Sequence, residues 1–107
     1  MNKHEMFELS LKKWGLQSQI LMLVEELNEL AVASLHLLRR LKDKEKALEQ
    51  FAEEIADVEF MIEEMKYYFK NEQKVKLYRT YKEERLKQIL KGLNFSRKNS
   101  KVLDSQT

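Results

Sequence analysis

A chain of 107 residues, 36% of them charged and 43% hydrophobic, has room for one helical domain and too little length for two. With no proline and glycine only at Gly15 and Gly92, it lacks the frequent turns of a β-rich fold, and with no cysteine it can build neither disulfides nor thiolate metal sites. The net charge of +2 is unevenly spread: residues 20–70 hold seven basic against twelve acidic groups, and residues 71–107 hold ten against four. No apolar run approaches the ~20 residues of a membrane span, and the N-terminus has no signal-peptide core, so a cytoplasmic location is expected.

In chain order, a first helix is predicted over Lys3–Lys13, with Met6, Phe7 and Leu11 as its apolar side. Gly15 should break the chain next to Trp14, a packing anchor. A second helix is predicted from Leu16 to Leu41, where Ile20, Val24, Leu27, Ala31, Leu38 and Leu41 recur at the three-and-four spacing of an amphipathic stripe. His36 is expected at the surface. The polar cluster Lys42–Lys46 supplies a turn, with Asp43 as N-cap of a third helix reaching Lys70. On that helix Phe51, Ile55, Val58, Ile62, Met65 and Phe69 form the expected core stripe, and Glu54, Asp57, Met61, Glu64 and Tyr68 form a row beside it. The chain should turn again at Asn71 before a fourth helix, Glu72–Leu90, closed by Gly92. Residues 1–92 thus read as a single all-α domain, and 93–107 as a flexible basic tail.

Two acidic pairs stand out on this scaffold: Glu26 with Glu29, and Glu54 with Asp57. Residues three apart on a helix are surface neighbours, so each pair sets two carboxylates side by side. If the two helices pack together, four carboxylates converge, and unit charges about 4 Å apart repel by roughly 4 kcal/mol even at a generous effective dielectric. A bound divalent cation is the simplest compensation. Hard oxygen ligands favour magnesium, or manganese as a substitute, over zinc.

The string Glu25-Glu26-Leu27-Asn28-Glu29-Leu30, followed by Glu53-Glu54-Ile55-Ala56-Asp57, resembles the EExxE…ExxD pattern of the MazG-like nucleoside triphosphate pyrophosphohydrolases. The flanks Trp14-Gly15, Gln19 and Lys76-Leu77-Tyr78-Arg79 are similar to those of short, phage-type members, so the resemblance spans roughly residues 12–90. It implies a four-helix bundle of the all-alpha NTP pyrophosphatase type, completed by oligomerisation as a homodimer or dimer of dimers. It implies magnesium-dependent hydrolysis of a nucleoside triphosphate, a dNTP or a non-standard nucleotide, to the monophosphate and pyrophosphate. Glu26, Glu29, Glu54 and Asp57 would be the metal ligands, with Glu25 as general base.

Phosphate charge left over by the metal calls for cations. Lys76, Arg79, Lys82 and Arg85 form one row on the fourth helix and are the candidates. Trp14, Phe7, Met61 and Tyr68, with the amide of Asn28, are the candidates for a base pocket. The competing reading is a non-enzymatic helical module that binds nucleic acid or a protein partner through its basic C-terminal segment, by contacts that weaken with salt. Leftover apolar residues, among them Leu35, Leu37, Met61 and Tyr67–Phe69, call for a second copy of the chain.

Overall fold

A computed structural model describes residues 1–39 and 43–92. Among the described residues there are four helices and no strands: α1 (Lys3–Trp14), α2 (Leu16–Leu38), α3 (Lys44–Phe69) and α4 (Glu72–Leu90). The expected extension of the second helix to Leu41, the first residue of the Lys42–Lys46 turn, and the tail 93–107 lie outside the described residues. No described helix is long and apolar enough to cross a membrane.

The helix boundaries follow from local chemistry. Asn2 Oδ1 accepts the Glu5 amide at 2.8 Å, and Asp43 Oδ1 accepts the Lys46 amide at 3.1 Å, so both side chains occupy donors that a helix N-terminus otherwise leaves unpaired. Gly15 separates α1 from α2 at φ 82 and ψ 158, a backbone region almost confined to glycine. Its amide closes α1 on the Leu11 carbonyl at 2.8 Å, and its own carbonyl accepts from Gln19 N at 3.2 Å. One residue thus ends one helix and starts the next. Lys70, in the left-handed region, ends α3.

The chain divides into two compact units, the first spanning Met1–Lys70 and the second beginning at Asn71. In the first unit α2 and α3 form an antiparallel pair: His36 meets Gln50 across it at 3.3 Å, while Glu26 and Glu29 meet Glu54 and Asp57 further along. The seam is lined by Leu23, Leu30 and Ala33 from α2 and by Ala47, Val58 and Met61 from α3, all at least half-buried. α1 docks through Phe7, only 1% exposed, whose ring lies 5.5 Å from Phe60, 5.6 Å from Tyr67 and 6.4 Å from Tyr68, centroid to centroid. Outside this aromatic cluster Lys3 pairs with Glu63 at 2.5 Å, and the Tyr67 hydroxyl donates to Glu8 at 2.6 Å.

Several packing expectations are corrected. The predicted α2 stripe of Ile20, Val24, Leu27, Ala31 and Leu38 is exposed, and the seam runs instead through Gln19, Leu23, Glu26, Leu30 and Ala33. α2 is apolar on more than one side, and a stripe chosen by hydrophobicity alone passed over a seam that carries two polar residues. On α3 the row through Glu54, Met61 and Glu64 lies deeper than the predicted core positions Ile62 and Phe69, which are exposed. Trp14 is 54% exposed rather than a core anchor, with Lys13 Nζ 5.0 Å from its ring centroid. His36, expected at the surface, is half-buried against Gln50.

In the second unit α4 carries a half-buried line of Val75, Tyr78 and Tyr81, while Lys76, Arg79, Lys82 and Arg85 are exposed. The Thr80 hydroxyl bonds back to the Lys76 carbonyl at 3.1 Å, and Lys87 lies 3.9 Å from Glu84.

Candidate metal centre

Spacing of three sets Glu26 beside Glu29 on α2 and Glu54 beside Asp57 on α3, and antiparallel packing brings the two pairs together. One carboxylate oxygen from each of the four lies within 4.8 Å of the others. Glu26 and Glu54 are half-buried in the seam; Glu29 and Asp57 are exposed at its edge. The Oε2 atoms of Glu26 and Glu54 are shut off from solvent and have no hydrogen-bond partner among the described residues. Acceptors in that condition are costly to bury, and a ligand that satisfies them is favoured.

Electrostatics at the cluster points the same way. Burial pushes the Glu26 carboxyl up from its ordinary pKa, followed by the negative charges of Glu29 and Asp57 and a hydrogen bond with Glu29. Glu54 is also raised, first by burial and then by the charge of Glu29 and a hydrogen bond with it. Glu26 and Glu54 therefore hold their protons more tightly than free carboxylates do, because burial and then the crowding of like charge disfavour their ionised forms. Four converging carboxylates, two of which carry a buried and unpartnered oxygen, fit a hard divalent cation, and all four predicted ligands are in this cluster.

A cleft opens on each side of the cluster. The larger is a cavity of about 750 Å³ whose wall includes Glu25, Glu26 and Asp57 at one end, Met22, Phe60 and Met61 along its length, and Gln19 and Glu64 further on. Ser10 and Trp14 of α1 complete it. The smaller, about 460 Å³, is lined by Asn28, Glu29, Val32, Gln50 and Glu54. Of the residues predicted for a base pocket, Trp14 and Met61 line the larger cavity and Asn28 lines the smaller cleft. Phe7 is enclosed by other rings, and Tyr68 spends its hydroxyl on the Phe7 carbonyl at 2.7 Å, so neither lines the cavity. Glu25, the predicted general base, stands on the cavity wall beside Glu26. The predicted phosphate-binding row Lys76, Arg79, Lys82 and Arg85 belongs to the second unit.

Sequence reasoning missed Gln19 and Glu64 as site residues. Gln19 is 2% exposed and Glu64 3% exposed, the two buried polar side chains among the described residues. Gln19 Nε2 has Met22 Sδ at 3.8 Å, a weak acceptor, and Glu64 Oε2 has no partner among the described residues. Burial raises the Glu64 pKa. A signal was available: Glu54, Asp57, Met61 and Glu64 follow one another at spacings of three, four and three, and so share a helix face.

Compared with family models, with curated proteins and with solved structures, the chain matches none of them.

Proposed function

We propose that this chain is a divalent-cation-dependent nucleoside triphosphate pyrophosphohydrolase of the MazG-like kind, cleaving a dNTP or a non-standard nucleotide between its α and β phosphates. The observation that carries the reading is the convergence of Glu26, Glu29, Glu54 and Asp57 within 4.8 Å beside a cavity large enough for a nucleoside. A cluster with two raised carboxyl pKa values destabilises the protein unless something compensates it. Bound there, magnesium or manganese supplies charge neutralisation and Lewis acidity toward phosphate oxygens. Glu26, Glu29, Glu54 and Asp57 hold that cation, and Glu25 orients the attacking water and takes its proton. Water oxygen bonds to the α phosphorus, the bond to the bridging oxygen breaks, and pyrophosphate leaves.

Lys76, Arg79, Lys82 and Arg85 carry the ammonium and guanidinium groups that suit the β and γ phosphates, and their part rests on that side-chain chemistry alone. The reading also includes a homodimer or a dimer of dimers, because the outer stripe of α2 exposes Ile20, Val24, Leu27, Leu35 and Leu38.

A screen of nucleoside triphosphates with Mg2+, scored for pyrophosphate against orthophosphate, tests the reaction. Glu54→Gln and Asp57→Asn should each abolish pyrophosphate release while far-UV circular dichroism shows unchanged helicity. Full activity in either variant, or orthophosphate as the product, would refute the mechanism.

A further inference from the structure

The larger cavity has an internal order that the metal cluster does not explain. In the antiparallel pair Glu26 of α2 meets Asp57 of α3. Gln19 lies seven residues before Glu26, and Glu64 seven residues after Asp57, so both fall about 10 Å further along the pair at 1.5 Å per residue. Met22 and Met61 line the stretch between. One end is therefore anionic and suited to a cation and phosphate, the middle is apolar, and the far end holds a buried amide and a buried carboxyl. A nucleoside 5′-phosphate has the same order and a comparable length: phosphate, sugar and ring face, then the hydrogen-bonding edge of the base.

The far end also has a definite polarity. The Tyr68 hydroxyl has one proton, and it is directed to the Phe7 carbonyl oxygen at 2.7 Å. Toward Glu64 the Tyr68 oxygen is then an acceptor. A protonated Glu64 places its proton there, which leaves Oε2 as an acceptor, and an ionised Glu64 leaves Oε2 as an acceptor as well. That atom is closed to solvent and unpartnered among the described residues, so what it lacks is a donor. An exocyclic amino group projects from a base edge and supplies one. Uracil and thymine present a single ring N–H between two carbonyl oxygens, so bringing that N–H to Oε2 also brings a carbonyl against the carboxyl.

We propose that Glu64, with Gln19 beside the same cavity end, is the specificity-determining group for the base, selecting an amino-bearing base such as cytosine over its keto counterpart uracil. This deepens the pyrophosphohydrolase reading and rests on it for the placement of the phosphate. Glu64 makes the decisive hydrogen bond because a buried acceptor left unpaired penalises the wrong base more than any added contact rewards the right one.

The test uses the full chain and Trp14, its single tryptophan, which lines the cavity and so reports occupancy by its emission. dCMP and dUMP serve as probes, since neither contains the bond to be cleaved. Wild-type protein with Mg2+ should bind dCMP about tenfold or more tighter than dUMP. In Glu64→Gln, whose amide can present either a donor or an acceptor, the two should bind within about threefold of each other, with Mn2+ affinity unchanged. Equal wild-type affinities, absence of binding by both, or full preference retained in Glu64→Gln would overturn the assignment. If Glu64→Gln loses its helical circular dichroism signal, the wild-type ratio and Gln19→Ala, expected to weaken dCMP binding, decide instead. Pyrophosphate release from dCTP and dUTP, measured in parallel, separates the two readings. Base selectivity without hydrolysis removes only the pyrophosphohydrolase, and hydrolysis without base selectivity removes only the role of Glu64.

Discussion

Proton and cation should compete for the carboxylate cluster, and the structure sets the size of the effect. Glu26 and Glu54 both have pKa values raised above the ordinary 4.5. A carboxyl raised by folding stabilises the folded chain fully below its unfolded pKa, where both states are protonated, and loses that contribution as pH rises through the folded value. Without metal, the contribution of these two groups should be full at and below about pH 4.5 and lost toward pH 8. Cation binding needs both groups ionised, so below their raised pKa values it must displace two protons. Its affinity should then fall by up to about a hundredfold per pH unit, tenfold for each proton, and level off at higher pH. Glu26→Gln removes one titrating group, and the limiting slope should drop to about tenfold per unit.

At pH 8 a cation present at about a hundred times its dissociation constant adds roughly 2.7 kcal/mol of stability. For a chain of this size that corresponds to a rise of about 10–20 °C in melting temperature. At pH 5 the same concentration should add much less. Mn2+ titration calorimetry from pH 5 to 8, with thermal melts at each pH, measures both quantities. An affinity that stays constant across that range, or strengthens in acid, would refute the account of the cluster as a proton-holding cation site.

Two further outcomes follow from packing. Phe7→Ala removes a fully enclosed ring and should cost about 3–5 kcal/mol, read by denaturant unfolding; because α1 supplies Ser10 and Trp14 to the cavity but nothing to the carboxylate cluster, Mn2+ affinity of the folded fraction should hold while Trp14 emission changes. Light scattering at micromolar concentration should give a mass of twice or four times the 12.9 kDa chain, and a monomer active as such would refute the dimer.

The helices were legible because what starts and stops them is local. Asn2 and Asp43 cap through amides three residues on, and Gly15 interrupts through its own backbone, so neighbouring residues specify each boundary. The acidic pairs were legible for the same reason, since spacing of three places two carboxylates together on any helix. The seam of α2 was not. That helix offers an outer stripe of Ile20, Val24 and Leu27 more hydrophobic than the inner line of Gln19, Leu23 and Glu26, and only contact with α3 decides which is covered. Tertiary register likewise set Glu26 and Glu29 against Glu54 and Asp57. Gln19 and Glu64 became site residues only once the pair and α1 had closed around them, because burial and a missing partner are properties of what surrounds a side chain. Periodicity along one helix records which residues share a face; which face meets which, and at what offset, depends on contacts between segments far apart in the chain.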